Sequence, residues 1–488
     1  MRFARIYLVI IGLILLSASG AICQGRTVSA DTLPREHWSY DAMAYLAAQG
    51  LAVGQTARFY QGDFLLDELE MAERVRDILA NSELLSQIQG RNRNLLSRLA
   101  QEFREQLILL GVSSEEIDLL QSESNLSAVL TGYVGPLLRF SDGKKSIFGT
   151  YEADVLVPFR KHGLITATLS TADREYRENP EAFPKIDKFN ARGFGKDWEW
   201  EIGKNSLFWG SGYSGSMILS DNPPPFDFAR VTKDFNLGGH IGRVQLTQII
   251  APFEDSDKHF WFLGRRLQKT FSPHFNLGIN ETVKTGERPR PLVLIMPALY
   301  LYQYMFLNDL DQEWNELVSI DASYRTKGGR EYYTELIIDD ITSPQPFGTV
   351  AERPRKTGLL IGAHAPKVDA AGRTSVRAEV IIVDPETYLS TREDFPEVNY
   401  LKNGYFIGHP VGNDAEALFL RVTHKPGGGI MLVGEYLAAR KKTTGVKERA
   451  ANFLAIYNVN ERLSTSIRWR EFLGSPKDRL ELTGSYAF

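Results

Sequence analysis

The chain has 488 residues and a mass of 55.0 kDa, enough for about three domains of ~150 residues, although barrels run longer as single units. Apolar residues make up 43%, charged residues 24%, and mean hydropathy is -0.23; this excludes a wholly disordered chain and a multi-span helical membrane protein, but not a transmembrane β-barrel, whose strands are only half apolar. Lys and Arg number 56 against 60 Asp and Glu, a net charge of -4, so no basic excess argues for a nucleic-acid partner.

The first 30 residues read as a secretory leader. Arg2 and Arg5 precede an apolar run from Ile6 to Leu16, and small residues follow from Ser17 to Ala21, the order of a signal peptide. The run is too short to span a bilayer as a helix, which needs about 20 residues. Cleavage after Ala21, Cys23 or Ala30 fits the pattern. Cys23 is the one cysteine, so neither an internal disulfide nor a thiolate metal cluster can form. Ile22 before Cys23 argues against lipidation, which needs a small residue there.

Residues 31–80 read as a small helical module. Trp38, Met43, Leu46 and Leu51 recur near helical spacing, and Leu69, Val75 and Leu79 mark a second helix from about Leu66 to Leu79. The run from Pro34 through His37-Trp38 to Leu51, then Phe59 to Asp63, then Glu70-Met71-Ala72 resembles an S-layer homology (SLH) domain. That resemblance implies binding to peptidoglycan or a linked wall polymer, with His37, Trp38 and Glu70 as candidate contacts. Asp67-Glu68 stand where that family carries Thr-Arg, which removes a cation suited to an acidic polymer. Residues 81–126 read as a polar helical linker with a stripe of Leu96, Leu99, Phe103, Leu107 and Leu110, either a coiled-coil stalk or a helix packed on the first module. Gly111 suits a helix C-cap, and Ser113 to Glu116 a capping box.

From residue 127 the period changes to two. Ile147, Gly149, Tyr151, Ala153, Val155 and Val157 alternate with polar partners, as do Val244 and Leu246, then Val376, Ala378, Val380 and Ile382. Segments of about ten residues are the length of a tilted membrane strand. The last segment alternates Leu480, Leu482, Gly484, Tyr486 and Phe488, and a final strand ending in an aromatic residue resembles the signal read by the outer-membrane barrel assembly machinery. The expected architecture is an α module followed by an antiparallel transmembrane β-barrel over 127–488. At roughly 20 to 23 residues per strand and turn, it holds about 16 to 18 strands. The stretch Asp173–Arg192 is read as an outer loop or an inward fold. The apolar run Leu292–Leu307, which contains Pro297, is read as strand rather than helix.

One segment points to a ligand. The chain from Trp198 to Trp209 reads as a strand, followed by Gly210-Ser211-Gly212 and by Leu219-Ser220-Asp221-Asn222-Pro223-Pro224-Pro225-Phe226. Three successive prolines cannot join a ladder, so the latter is a stiff loop. The W-G-x-G turn and the block Leu219 to Phe226 resemble the capsule-assembly Wzi family of outer-membrane barrels, which carries W-G-x-G followed by an L-x-S-N-x-x-P-P-F loop. Leu263 to Leu267, His274 to Asn280, and Gly404 to Asp414 look like further segments of that family. The resemblance implies binding of a surface polysaccharide and assembly or attachment of capsule or exopolysaccharide. Candidate contacts are Trp209, Tyr213, Asp221, Asn222, Arg265 and Arg266: rings stack on sugar faces, and polar side chains satisfy hydroxyls and acidic groups. The same rings also suit a membrane-interface girdle.

An enzyme finds little support. The eight histidines show no metal-ligand spacing, and there is no G-x-S-x-G elbow or phosphate loop. Glu199 and Glu201 share a strand face, as a glycosidase pair would, but inward acids are ordinary in a barrel. No cofactor and no metal are expected. The leading expectation is a polysaccharide-binding barrel in the outer membrane, contacting its lipid, with the helical part periplasmic and tethered to the wall. The alternative is a general wall-linked porin, which would conduct small solutes through an open lumen.

Overall fold

The computed structural model describes residues 33, 38–48, 51, 66, 68–81, 83, 85, 88, 91–120, 129–141, 144–159, 163–170, 185–194, 198–238, 243–255, 258–272, 275–286, 314–326, 330–339, 356–390, 398–428, 430–459, 463–473 and 479–487. The expected leader, His37, the run 292–307 and Phe488 lie outside these residues.

The amino-terminal helices are Trp38–Ala48, Glu68–Leu79, Arg91–Glu102, Arg104–Leu109 and Ser114–Leu119. They share one core. Met43 and Leu46 of the first helix, Met71 and Val75 of the second, and Leu96, Leu99, Phe103, Leu107 and Ile117 of the later ones are buried together. Of the two readings of residues 81–126, the structure follows the packed one: the apolar stripe of 91–120 closes the core that the first two helices leave open. The buried Tyr40 hydroxyl accepts the Leu66 N–H at 2.7 Å and donates to the Leu33 carbonyl at 3.2 Å. Gly111 ends its helix at φ +91°, a conformation that glycine adopts without a Cβ penalty. The capping box forms as the sequence predicts. Glu116 N–H donates to the Ser113 hydroxyl, and its carboxylate accepts the Ser113 N–H.

Among the described residues, eighteen antiparallel strands form one sheet. Each pairs with the next, and the last, Arg479–Ala487, pairs back onto the first, Val129–Ser141, with Leu482 opposite Leu138. Closure removes every free edge, which a bilayer requires because its core offers no water to unpaired amides. The expected strand Trp198–Trp209 is shorter, Trp198–Asn205. Residues 185–192 of the polar stretch Asp173–Arg192 belong to the strand Lys185–Phe194, not to a loop.

Alternation sorts the wall into two faces. In the strand Glu331–Asp339, Glu331, Tyr333, Glu335, Ile337 and Asp339 are buried, while Tyr332, Leu336 and Ile338 are exposed. Neighbouring strands expose Ile361, Val380, Ile382, Leu418, Leu420, Val422, Phe453 and Ile467 in the same manner. Over these strands the outward belt is apolar and the inward face is charged, the reverse of a soluble barrel and the pattern that lipid demands.

Strands alternate in direction, so the connections sort into two ends. The long ones, 171–184, 206–225, 286–313, 340–356 and 384–414, all leave from one end. At the other end the longest is 366–373. The helix carrying Glu70 lies toward that short-turn end, where its carboxyl feels the charges of Glu331 and Arg377.

An arginine at the middle of the outward belt tests the orientation. Ile361→Arg is expected to cost about 2–4 kcal/mol if that face meets lipid, measured as the unfolding midpoint in urea from lipid vesicles. An unchanged midpoint would mean that this face is not the lipid face.

Candidate functional site

Two of the long connections turn back into the barrel and pack against its inner wall. The first is 206–225. Leu207, Phe208, Trp209, Tyr213, Ser216, Met217, Ile218, Leu219 and Ser220 are buried. Trp209 and Leu219 form an isolated bridge, with Trp209 N–H donating to the Leu219 carbonyl at 2.8 Å. This folds the Gly/Ser run 210–216 into a loop whose amides point at the wall.

Two lumen-facing carboxylates receive those amides. Glu335 accepts Gly212 N–H and Met217 N–H, both at 2.6 Å, and the Ser216 hydroxyl at 3.0 Å. Glu379 accepts Tyr213 N–H at 2.6 Å, Ser214 N–H at 2.9 Å, the Tyr333 hydroxyl at 2.7 Å and the Ser214 hydroxyl. Charge-assisted bonds of this type are about twice as strong as neutral ones. The loop needs its glycines. Gly210 sits at φ +138°, and a Cβ there would collide with the Glu335 carboxylate and the Ser216 hydroxyl.

The second inward segment comprises 384–390 and 398–414. It covers the first and collects its carbonyls. The Tyr388 hydroxyl donates to the Met217 carbonyl at 2.5 Å and the Tyr400 hydroxyl to the Ile218 carbonyl at 2.9 Å. Ser220 N–H donates to the Ile407 carbonyl at 2.8 Å, and the Ser220 hydroxyl to that of Gly408 at 2.6 Å. Wall residues pin this segment in turn. Tyr388 N–H donates to Asp339 at 2.5 Å, and buried Lys284 donates to the carbonyls of Asn399 at 3.0 Å and Leu401 at 2.8 Å. Lys402 donates to the carbonyls of Pro224 and Pro225 at 2.9 and 3.0 Å, which ties the proline loop to the short hairpin Leu401–Lys402 and Tyr405–Phe406.

His409 links the two segments. It is fully buried, its Nδ1 accepts the Val411 N–H at 3.3 Å, and its Nε2 lies 3.2 Å from the Ser214 hydroxyl. The ring proton therefore sits on Nε2. Burial pushes its pKa down to about 3, so the ring is neutral at physiological pH.

The candidate residues separate. Trp209 is only 6% exposed, and its ring lies over Gly264, where a Cβ would approach within 2.8 Å. Tyr213 is buried between Phe419, Arg377 and Arg421. Both rings are consumed by protein contacts, so the expectation that they stack on sugar is corrected to a packing role. Arg265 and Arg266 do not act together, because adjacent strand residues face opposite sides of the wall. Arg266 faces the lumen, where it bonds Asp321 at 2.8 and 3.0 Å and Asn280 at 2.7 Å. Arg265 is buried on the other face, opposite Glu281 in register. Asn222 spans the two segments, its amide donating to the Phe406 carbonyl at 2.9 Å. Asp221, Asn222 and Arg266 are half-buried, and the other three of the six are buried. Glu199 and Glu201 both pair with Arg230, at 3.4 and 2.5 Å, which accounts for the two acids as wall residues.

Of the proposed wall contacts, Trp38 begins the first helix. Glu70 is half-buried, and its pKa is raised to about 7, first by burial and then by Glu331. Sequence reasoning did not single out Glu335, Glu379, Tyr388, Tyr400, Lys284 or Lys402. An acid such as Glu335 within Thr334-Glu335-Leu336-Ile337-Ile338 is the one visible signal, and its partner lies more than a hundred residues away in the chain.

Removing the carboxylates tests the plug. Each buried donor left without a partner costs about 1–3 kcal/mol, so a Glu335→Ala, Glu379→Ala double variant is expected to release residues 206–225. Planar-bilayer recordings should show stable conductance in the variant and none in the parent, at equal heat-modifiable barrel. An equally closed variant would refute this role.

The His409 site also has a pH signature. Its folded pKa lies below the unfolded value of about 6.5, so the released state binds more protons as pH falls between about 6.5 and 3. The histidine's contribution to holding the plug is therefore lost as pH falls through that window. His409→Gln should lose the histidine part of that pH dependence in the same recordings.

Comparison with known proteins follows the geometry. A search of curated protein sequences gives no match. Among solved structures, Wzi of Escherichia coli, described as an outer-membrane protein involved in group 1 capsule assembly and a carbohydrate-binding β-barrel, superposes with a TM-score of 0.54 at 14% identity, covering 94% of this chain and 99% of that one. That coverage exceeds what the strands alone supply, so helical residues take part in the match. The Pseudomonas aeruginosa barrels OccK3 and OccK5 match less well, with TM-scores of 0.45 and 0.43, identities of 13% and 12%, and coverage of 74% of this chain and 96% and 97% of theirs. The sequence profile of the family described as capsule assembly protein Wzi matches residues 167–473, which include both inward segments and both carboxylates. With that match spanning well over half of its length, the chain belongs to the Wzi family of capsule assembly proteins, non-enzymatic barrels of the outer membrane.

Proposed function

We propose that this chain binds surface polysaccharide at the long-loop end of its barrel and so serves the assembly or attachment of a capsule or exopolysaccharide. The observation that carries this is the inward loop. Two segments, cross-bonded to each other and to the wall, stand on the inner side of the barrel, where a general porin keeps space for solutes. A rigid plug presents a fixed surface, which suits ligand binding because little entropy is lost on contact.

Bacterial barrels carry their longer loops outside and short turns in the periplasm. On that rule the plug enters from the cell exterior, and the helices around Glu70 lie on the periplasmic side. The proposed glycan surface is where the Asp221–Pro225 loop meets the hairpin at 401–406. Asn403 N–H donates to Asp255 at 3.3 Å, which sets that hairpin at the rim where the strand Arg243–Asp255 ends. Tyr405 is half-exposed there, Asn403 is exposed, and Asp221 lies on the adjoining loop. A ring for a sugar face beside an amide and a carboxylate for hydroxyls is the chemistry of a neutral or mixed glycan contact. Repetition along a polymer multiplies weak single contacts.

The tether is the finer part of the proposal, and its support is the SLH resemblance around Trp38. The electrostatic coupling of Glu70 to Glu331 and Arg377 favours a different use for that helix, as the cover of the periplasmic end. Full-length protein that fails to pellet with peptidoglycan sacculi would remove the tether and leave the cover.

For the glycan surface, Tyr405→Ala and Asp221→Ala are each expected to weaken binding of purified cell-surface polysaccharide about fivefold, from roughly 1 kcal/mol per contact. Cells carrying both should release polysaccharide into the medium at unchanged barrel abundance. Normal binding by the double variant would refute this surface.

A further inference from the structure

We infer that the outer rim of the barrel carries a docking site for the phosphate groups of an outer-leaflet glycolipid, formed by Arg440, Lys447 and Arg449. The three residues lie on the hairpin between the strands Ile430–Lys441 and Lys447–Asn458. This hairpin connects at the long-loop end, so its outward position rests on the orientation argued above.

Register sets the three cations on one face. Arg440 stands opposite Lys447, and Ala438 opposite Arg449. Alternation then decides the side. Lys441 reaches inward to the Val411 and Asn413 carbonyls, and Asn452 reaches inward to Glu435. Arg440, Lys447 and Arg449 have the opposite parity and face away from the lumen. All three are exposed. Directly opposed residues lie about 5 Å apart at Cβ, and the next residue on the same face about 7 Å along the strand, a spacing that allows one or two phosphates to be held by more than one side chain.

The charge is not balanced within the protein. Like charges placed directly opposite each other destabilise a strand pair. Arg440 has one partner, Glu416, at 2.5 Å. Lys447 and Arg449 make no side-chain hydrogen bond or ion pair among the described residues. On the flank, the residue opposite Arg449 is Leu473, and the next acid, Glu471, stands opposite Ala451. Two cations thus stand without a partner among the described residues at the start of one strand.

What lies below them identifies the ligand as a lipid. On the same outward face the hairpin continues through Tyr436 and Phe453, with Trp469 opposite Phe453 on the next strand and Leu420 opposite Tyr436 on the other side. Phe453 and Trp469 are 43% and 38% exposed, as expected for an aromatic girdle at the bilayer boundary. Cations just above that girdle stand at headgroup height. An extended polysaccharide held by the plug would meet the inner rim instead, where Lys441 and Lys442 are already committed to Val411, Asn413 and Asp384.

The test uses the full-length protein in detergent, with diphosphorylated lipid A as probe and its enzymatically dephosphorylated form as control, read by native mass spectrometry. A cation near an anionic membrane surface contributes about a factor of five in affinity, so Lys447→Gln with Arg449→Gln should weaken binding of the diphosphorylated lipid by at least tenfold. The parent should bind the dephosphorylated form as weakly as the variant binds the phosphorylated one. Heat-modifiable migration confirms that the variant is folded. The inference is overturned if the variant holds the diphosphorylated lipid within twofold of the parent, or if removing the phosphates changes nothing. It is also overturned if the variant keeps the lipid but loses soluble polysaccharide, because the cations then serve the glycan.

Discussion

Two carboxylates inside the barrel, Glu335 and Glu379, meet the amides of the Gly/Ser loop, and the closed state of the molecule depends on that contact. Neither side is stable alone. A carboxylate buried without donors carries a desolvation cost of several kcal/mol, and a buried amide without an acceptor costs about 1–3 kcal/mol. Bringing them together removes both penalties in one geometry. That geometry requires a backbone that can approach the wall closely, and Gly210 and Gly212 permit it because a Cβ at either would strike the Glu335 side chain or the loop itself.

The rest of the plug elaborates the same exchange. Once the amides of 212–217 point at the wall, the carbonyls of Trp209, Met217 and Ile218 point elsewhere and need donors. Ser216, Tyr388 and Tyr400 supply them. Tyr388 holds φ +72°, unusual for an aromatic residue, while its amide is bonded to Asp339 and its hydroxyl to the first segment. Strain of this type persists where the surroundings over-determine it. The second segment therefore acts as a brace for the first.

Outside the barrel the constraint is the solvent. Lipid accepts Ile361, Leu420 and Phe453 but not the charges one residue away in each strand, and a period of two lets a single chain satisfy lipid and lumen together. The charged interior of the wall is then available for holding the plug. The helical module obeys a different rule, with one apolar stripe per helix meeting in a common core.

Much of this architecture was legible along the chain. The switch from helical to alternating period near residue 127, the even number of ten-residue segments and the family resemblance over the W-G-x-G and proline blocks all follow from local pattern, because side-chain period and strand length are properties of neighbouring residues. So is the capping box at Ser113. The sequence also set the segment Trp209 to Phe226 apart from the strands by its glycines and prolines. What it did not determine was which way that loop folds and what its aromatic residues do. Trp209 and Tyr213 carry the composition of a sugar site but are covered by Gly264, Phe419 and Arg377, partners between 55 and 206 positions away in the chain. Arg265 and Arg266 are adjacent in sequence and on opposite sides of a wall. The linker expected at 81–126 became part of a core for the same reason: an apolar stripe announces that a partner exists but not which one. Burial, charge pairing and the inward turn of a loop depend on surfaces that only the closed barrel brings within reach, and those were decided by the tertiary structure alone.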